Sequence, residues 1–301
     1  MRTLVDRLLD RLPGPVGEIV RALVHEWEDD RVPGVAAEVA FFGLLGLFPS
    51  LLAVAATLGS LDGLVGQDLA DQTREAVVDW LQRFLTAEAG STVQAVEDLF
   101  QEASPGALTT GVVVALWAAS RGFTAVVNGL DVVYDLEERR PWLRRRLVAL
   151  GLALGTVVVV AALVAMLVVG PLLGSGAELA ERIGAGRAFA AAWDWARWPA
   201  MLVALAAWTA TIFHLAPNHR TPWRADVPGA VLTTGLWVLL SVGLRAYLAL
   251  APGSNQVLGA LGGVLIVLLW LYLLAVGLLL GGELNAILLA RARAAAPARE
   301  R

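Results

Sequence analysis

The sequence predicts an all-α polytopic integral membrane protein, with six transmembrane helices and an extracytoplasmic helical hairpin between helices 1 and 2. Three observations carry that prediction. The 301-residue chain is 57% hydrophobic with a mean hydropathy of +0.67, where a soluble domain has an apolar share of roughly 45–50%. Six stretches reach the about 20 apolar residues that a helix needs to cross a bilayer. The arginines outside those stretches are unevenly divided between the two sides, and such an asymmetry sets orientation.

The six stretches lie at residues 36–59, 107–128, 147–173, 198–216, 227–250 and 257–289. Sixteen arginines fall on one side: five in the N-terminal segment, Arg139, Arg140, Arg144, Arg145 and Arg146 after span two, Arg220 and Arg224 after span four, and four in the tail. Only Arg74, Arg83, Arg182, Arg187 and Arg197 fall on the other. Both termini are therefore expected in the cytoplasm. Tryptophans agree: Trp27, Trp142 and Trp223 flank the inner ends, and Trp193, Trp195 and Trp198 crowd the outer end of span four, as interfacial anchors do.

Residues 1–31 read as a cytoplasmic amphipathic segment, with Leu4, Leu8, Leu12, Ile19, Leu23 and Trp27 at helical spacing, lying on the membrane surface. Arg2, Asp6, Arg7, Asp10 and Arg11 interrupt any apolar core of a cleavable signal. Residues 32–290 form the transmembrane domain, and 291–301 an arginine-rich tail. Spans one and five both open on Val-Pro-Gly (Val32-Pro33-Gly34 and Val227-Pro228-Gly229), proline being suited to a first helical turn. The insert at 60–106 carries nine acids and two arginines on two amphipathic helices split near Gly90. It reads either as a solvated cap or as an acidic entrance that attracts cations and repels anions.

The chain has no cysteine and no lysine, which removes disulfides, thiolate metal sites, P-loop lysines and Schiff bases. His25, His214 and His219 match no metal-ligand spacing, and no nucleophile elbow is present. No catalytic group, metal or cofactor is expected, and no nucleic acid partner.

Charges within spans are costly and so are functional candidates. Arg121 in span two and Glu283 in span six each precede a cytoplasmic end, and Glu38 follows the start of span one, so a cluster of the three is one reading and a structural ion pair the other. Arg121, Thr124, Asn128, Asp131, Asp135 and Glu138 recur at three- and four-residue steps, which places them on one helical face. That face either lines an inward-facing cavity or is the wet side of a helix leaving the bilayer. The arginines at 139–146 with Trp142 suit anionic lipid headgroups or simple orientation, and Arg245 beside Tyr247 suits outer headgroups. Pro49, with Gly43 and Gly46, predicts a kink in span one that exposes a carbonyl. Gly277 and Gly281 form a GxxxG step suited to close helix packing.

At these residues the chain resembles the YihY/BrkB family of bacterial inner-membrane proteins, once associated by name with ribonuclease BN. The likeness covers most of residues 30–290. It rests on Ala36-Ala37-Glu38-Val39-Ala40-Phe41-Phe42-Gly43-Leu44-Leu45-Gly46-Leu47-Phe48-Pro49, on Asn128 to Tyr134 with Glu138-Arg139-Arg140, on Pro217-Asn218-His219-Arg220, and on Leu280-Gly281-Gly282-Glu283-Leu284-Asn285-Ala286. Phe42, Gly46 and Leu258 stand where the family pattern has Tyr, Ser and Tyr. The resemblance implies a six-span membrane protein without nuclease chemistry, linked to envelope lipids. Three readings of function follow. The first is a transporter or translocase of a lipid or amphiphilic anion, with Glu38, Pro49, Arg121, Thr124, Asn128, Asp131, Asp135, Glu283 and Asn285 along its pathway. The second is an envelope scaffold, and the third an intramembrane enzyme using Glu283 or Glu38. Membrane lipids with anionic headgroups are the expected partners, and a homo-oligomer is left open.

Overall fold

The computed structural model describes residues 14–60, 105–137, 140–172, 187–218, 221–250 and 254–295. Every regular element among them is helical. The expected hairpin at 60–106 and the first turns of the N-terminal segment lie outside the described residues, as do Glu138, Arg139, His219 and Arg220. The elements are α1 (Gly14–Asp29), α2 (Val32–Ser60), α3 (Pro105–Val133), α4 (Trp142–Leu172), α5 (Arg187–Leu215), a 3-10 turn (Trp223–Asp226), α6 (Val227–Leu250) and α7 (Ser254–Ala295).

The six long helices coincide with the six apolar stretches. Among the described residues, Trp195–Leu215, Trp223–Leu250 and Gly262–Ala294 are long and apolar enough to cross a membrane. Each long helix packs against its neighbours in sequence, and α7 returns to α2, so the six close into a ring; α7 also touches α1 and α3. The helix α2 runs through Pro49 to Ser60.

Local chemistry sets the joints. Asp30 and Arg31 separate α1 from α2, with Arg31 in a left-handed conformation (φ 51°) and its carbonyl accepting from the Gly34 and Val35 amides. The helix α3 ends in a Schellman arrangement: Leu136 N–H donates to the Asp131 carbonyl at 2.8 Å and Asp135 N–H to Val132 at 3.0 Å. Asp135 occupies the left-handed position (φ 51°) usually given to glycine. Pro217 follows the last α5 bonds and cannot extend that helix.

Lipid tails are as apolar as leucine, so helices in a bilayer associate through close packing and polar contacts. The α6–α7 crossing shows both. A side chain at Gly281 would collide with Thr233 and the Gly229 backbone, and one at Gly229 with the Gly281 carbonyl and Asn285. Thr233 donates to the Gly277 carbonyl at 3.2 Å. The Asn285 amide spans the crossing: its Oδ1 accepts from Gly229 N–H at 2.7 Å, and its Nδ2 donates to the Asp226 carbonyl at 3.1 Å. Nearby, Trp237 covers Gly277 and donates to the Leu274 carbonyl at 2.7 Å. Between α4 and α5, Trp208 lies on Gly155 and donates to Thr156 at 3.0 Å. Val127, Leu130, Phe213 and Leu279 fill the centre where α3, α5 and α7 meet.

Two predictions follow from this crossing. Gly281→Ala is expected to lower the temperature at which the purified protein loses its helical circular dichroism, whereas Gly235→Ala, whose new methyl meets nothing within 4 Å, is expected to leave it unchanged. Asn285→Ala orphans a buried N–H and a carbonyl, at about 1–3 kcal/mol each. It should destabilise more than Asn218→Ala, at an exposed position, in the same denaturation assay.

Candidate functional site

Two polar regions stand out, one cationic and one acidic. The cationic region lies between α3 and α4. Trp117, Arg121, Thr124 and Asn128 are spaced at four and three residues along one face of α3. The first arginines of α4 meet that face: Arg145 donates from Nη2 to Asn128 Oδ1, and Arg146 Nη2 comes within 3.5 Å of the Trp117 carbonyl. Arg121 lays its guanidinium over the Trp117 ring, 5.4 Å from the centroid. Thr124 turns back to the Ser120 carbonyl at 2.6 Å. Two guanidinium groups from two helices thus converge on Trp117, one over its exposed ring and one at its backbone carbonyl, and among the described residues neither has a carboxylate partner.

Their direction is informative. Trp117 precedes Arg121 by one turn, so Arg121 points toward the start of α3, away from the α3–α4 connection. Trp117 also lies about 16 Å farther along α3 than Asn128, so Arg146 reaches the same way, while Arg145 reaches Asn128. A snorkelling arginine would do the opposite and follow the nearest headgroups out of the bilayer.

The acidic region lies where α1, α2 and α7 meet the end of α3 and the 3-10 turn. Asp131, Asp226 and Glu283 are all buried. Asp226 Oδ2 faces His214 Nδ1 at 3.2 Å, and Asp131 Oδ1 accepts weakly from Asn218 N–H at 3.4 Å. The Glu283 carboxyl lies against that of Asp30, and its Oε1 is buried with no hydrogen-bond partner. Burial holds the Asp30 carboxyl above its ordinary range, against the pull of the Glu283 contact, with Asp135 and Asp29 pushing the same way as burial. Burial also raises Glu26, followed by the charges of Asp30 and Asp135.

The structure therefore corrects the expected Glu38, Arg121 and Glu283 cluster. Arg121 is exposed and lies over Trp117 on its own helix, Glu283 faces Asp30, and Glu38 sits exposed on α2. The stripe on α3 divides as well: Asn128 meets Arg145 of α4, Arg121 and Thr124 turn back along α3, Asp131 is buried, and Asp135 is exposed in the turn. Asn285 is the bridge at the α6–α7 crossing. Pro49 lies within α2, its side chain outside the described set. Among the headgroup candidates, Trp142, Arg144 and Arg245 are exposed. Arg140 turns to the Leu215 carbonyl at 3.4 Å, at the carbonyl end of α5. Trp117, Asp30, Asp226 and His214 were not singled out by spacing; Trp117, four residues before Arg121, was the one with a readable signal.

An apolar groove of about 440 Å³ runs between α2 and α7, lined by Ala37, Ala40, Phe41, Leu268, Leu269 and Tyr272. None of the charged candidates lines it. Among the described residues, no group of three histidine or acidic side chains is placed to hold a metal ion.

The family model "Virulence factor BrkB" matches residues 23–301. The ribonuclease-like protein YfkH of Bacillus subtilis is 31% identical over 84% of this chain and 88% of its own length. A UPF0761 membrane protein of Azoarcus is 26% identical over 91% of this chain and 64% of its own length. One of Rhodospirillum centenum is 29% identical over 96% of this chain and 61% of its own. The chain thus spans somewhat under two thirds of these UPF0761 relatives. No solved structure matches. With a family model extending from α1 to the C-terminal residue and a relative aligned over most of both chains, the protein belongs to the BrkB family of membrane proteins.

Proposed function

We propose that the protein handles an amphiphilic anion, of the class of a membrane lipid with an anionic headgroup, and moves it across a bacterial inner membrane. In this reading all six long helices cross the bilayer, both termini are cytoplasmic, and the 60–106 insert is the outer cap. The headgroup is held at the α3–α4 face by Arg121 and Arg146 beside Trp117. No residue is assigned a catalytic role.

The convergence of those two guanidinium groups carries the reading. Span two ends near Asn128, so Arg121 lies about 10 Å above that end, within the inner half of a hydrocarbon core about 30 Å thick. An arginine near the bilayer centre costs about 2.5–3.5 kcal/mol on insertion scales. Stacking on Trp117 returns about 0.5–2 kcal/mol and neutralises no charge. Two cations aimed inward, with no carboxylate of the chain among the described residues to balance them, fit an anion that arrives from outside the chain. Exposed apolar side chains on α4, Leu147, Leu154 and Val158 among them, offer acyl chains a surface beside it.

The test is lipid analysis of purified protein together with leaflet transfer of a fluorescent anionic phospholipid in vesicles. Each charge-assisted hydrogen bond is worth about 1.5–3 kcal/mol, and about 1.4 kcal/mol is tenfold in affinity. The Arg121→Ala/Arg146→Ala double variant should therefore retain about tenfold less anionic lipid than wild type and transfer it more slowly. Arg293→Ala, on an exposed turn at the end of α7, should match wild type in both. Equal retention and transfer in the double variant would refute the assignment, and retention without transfer in the wild type would favour a scaffold.

A further inference from the structure

The acidic region contains a contact that cannot exist between two ionised groups. Asp30, in the joint between α1 and α2, is hydrogen-bonded through its carboxyl to that of Glu283 on α7. A carboxylate only accepts, so one of the pair must carry a proton to donate. Glu283 is 1% exposed, and its second oxygen, Oε1, is buried with no hydrogen-bond partner. A buried, unpaired carboxylate would be strongly unfavourable there, whereas a protonated one is not.

Among the described residues, none of the groups acting on the pair is a cation. From α1, Glu26 and Asp29 face the pair, and Asp29 is already met by His25 at 3.3 Å. From the turn after α3 comes Asp135, beside Tyr134, whose hydroxyl interacts with Asn285. Asp131 of α3 is met by the Asn218 amide, and Asp226 of the 3-10 turn by His214 of α5. On α2, Arg31 is exposed and Glu38 lies beyond it, also exposed. On α7 itself, Arg291 is taken by Glu18 of α1 at 3.3 Å.

We propose that the Asp30–Glu283 pair is a proton-binding site, in which one shared proton fastens the joint between α1 and α2 to α7 and its loss releases that joint. The site is separate from the α3–α4 face and does not depend on the function proposed for that face. With the proton bound, the pair and the Arg291–Glu18 contact hold α1 to the end of α7. With it lost, two negative charges in hydrogen-bond contact repel, and Asp29, Glu26 and Asp135 add to the repulsion.

The sign follows from Asp30, whose carboxyl is held above its ordinary range when docked. The docked joint binds the proton more tightly than the released one. Docking is therefore favoured as pH falls through the raised value toward the ordinary carboxylate value near 4, and is lost as pH rises.

The chain has no cysteine, so a single thiol reports on the joint. Val32, 1% exposed, is replaced in Val32→Cys, and its rate of labelling by a water-soluble maleimide is followed between about pH 5 and about pH 9. Rates are normalised to those of Gly34→Cys, an exposed position with nothing within 4 Å of the added atom, which removes the thiol's own titration. The normalised rate should rise by up to about tenfold per pH unit, the limit for release of one proton. In the Glu283→Gln background an amide donates to Asp30 at every pH, so the rate should stay low throughout. Asp30→Asn serves as a second background and should behave the same way. A flat profile in the Val32→Cys protein, or an undiminished rise in both amide backgrounds, overturns the proposal.

Discussion

Much of the structure depends on how closely α6 approaches α7. With hydrogen in place of a side chain at Gly229 and Gly281, the two backbones come near enough for Asn285 to bridge from α7 to both Gly229 N–H and the Asp226 carbonyl. That bridge seats the 3-10 turn before α6. The seated turn in turn presents Asp226 to His214 of α5, so a third helix is tied to the same point. Glu283 is two residues before Asn285 on the same helix and is placed against Asp30 by the same anchorage. In a bilayer, where apolar contact gives helices little preference for one another, such polar bridging is what makes one packing distinct from its alternatives.

The charges are sorted by region, and each region has its own chemistry. At α3–α4 Arg121 is exposed and Arg145 and Arg146 half-buried, Arg121 and Arg146 reach along the helix away from the connection, and no carboxylate among the described residues pairs with them. At the α1–α2–α7 joint the acids are buried or crowded, and among the described residues His25 and Arg291 are engaged by Asp29 and Glu18.

The helices themselves were legible in the sequence, since each apolar stretch is long enough to read by length alone and the α7 glycines kept the spacing of a close crossing. The polar face of α3 was equally legible, because its residues recur at helical spacing within one element. Pairing across elements was not. Arg121 and Glu283 stand at comparable depths from their helix ends, and depth alone made them look like partners; the structure lays Arg121 over Trp117 of its own helix and turns Glu283 toward Asp30. Asp30 was hidden for a related reason: at the end of an amphipathic helix it reads as a solvated acid, and only the docking of that helix onto α7 half-buries it against Glu283. His214 and Asp226 are twelve residues apart, too far for helical spacing to link them, and it takes the turn between α5 and α6 to bring them face to face.

The most direct test of the anion-handling account is an experimental structure of the full chain in nanodiscs of anionic phospholipid. The account predicts density for a headgroup within hydrogen-bond distance of both Arg121 and Arg146, beside the Trp117 ring, with its acyl chains against α4. Both guanidinium groups paired with carboxylates of the chain, and no lipid between them, would contradict it.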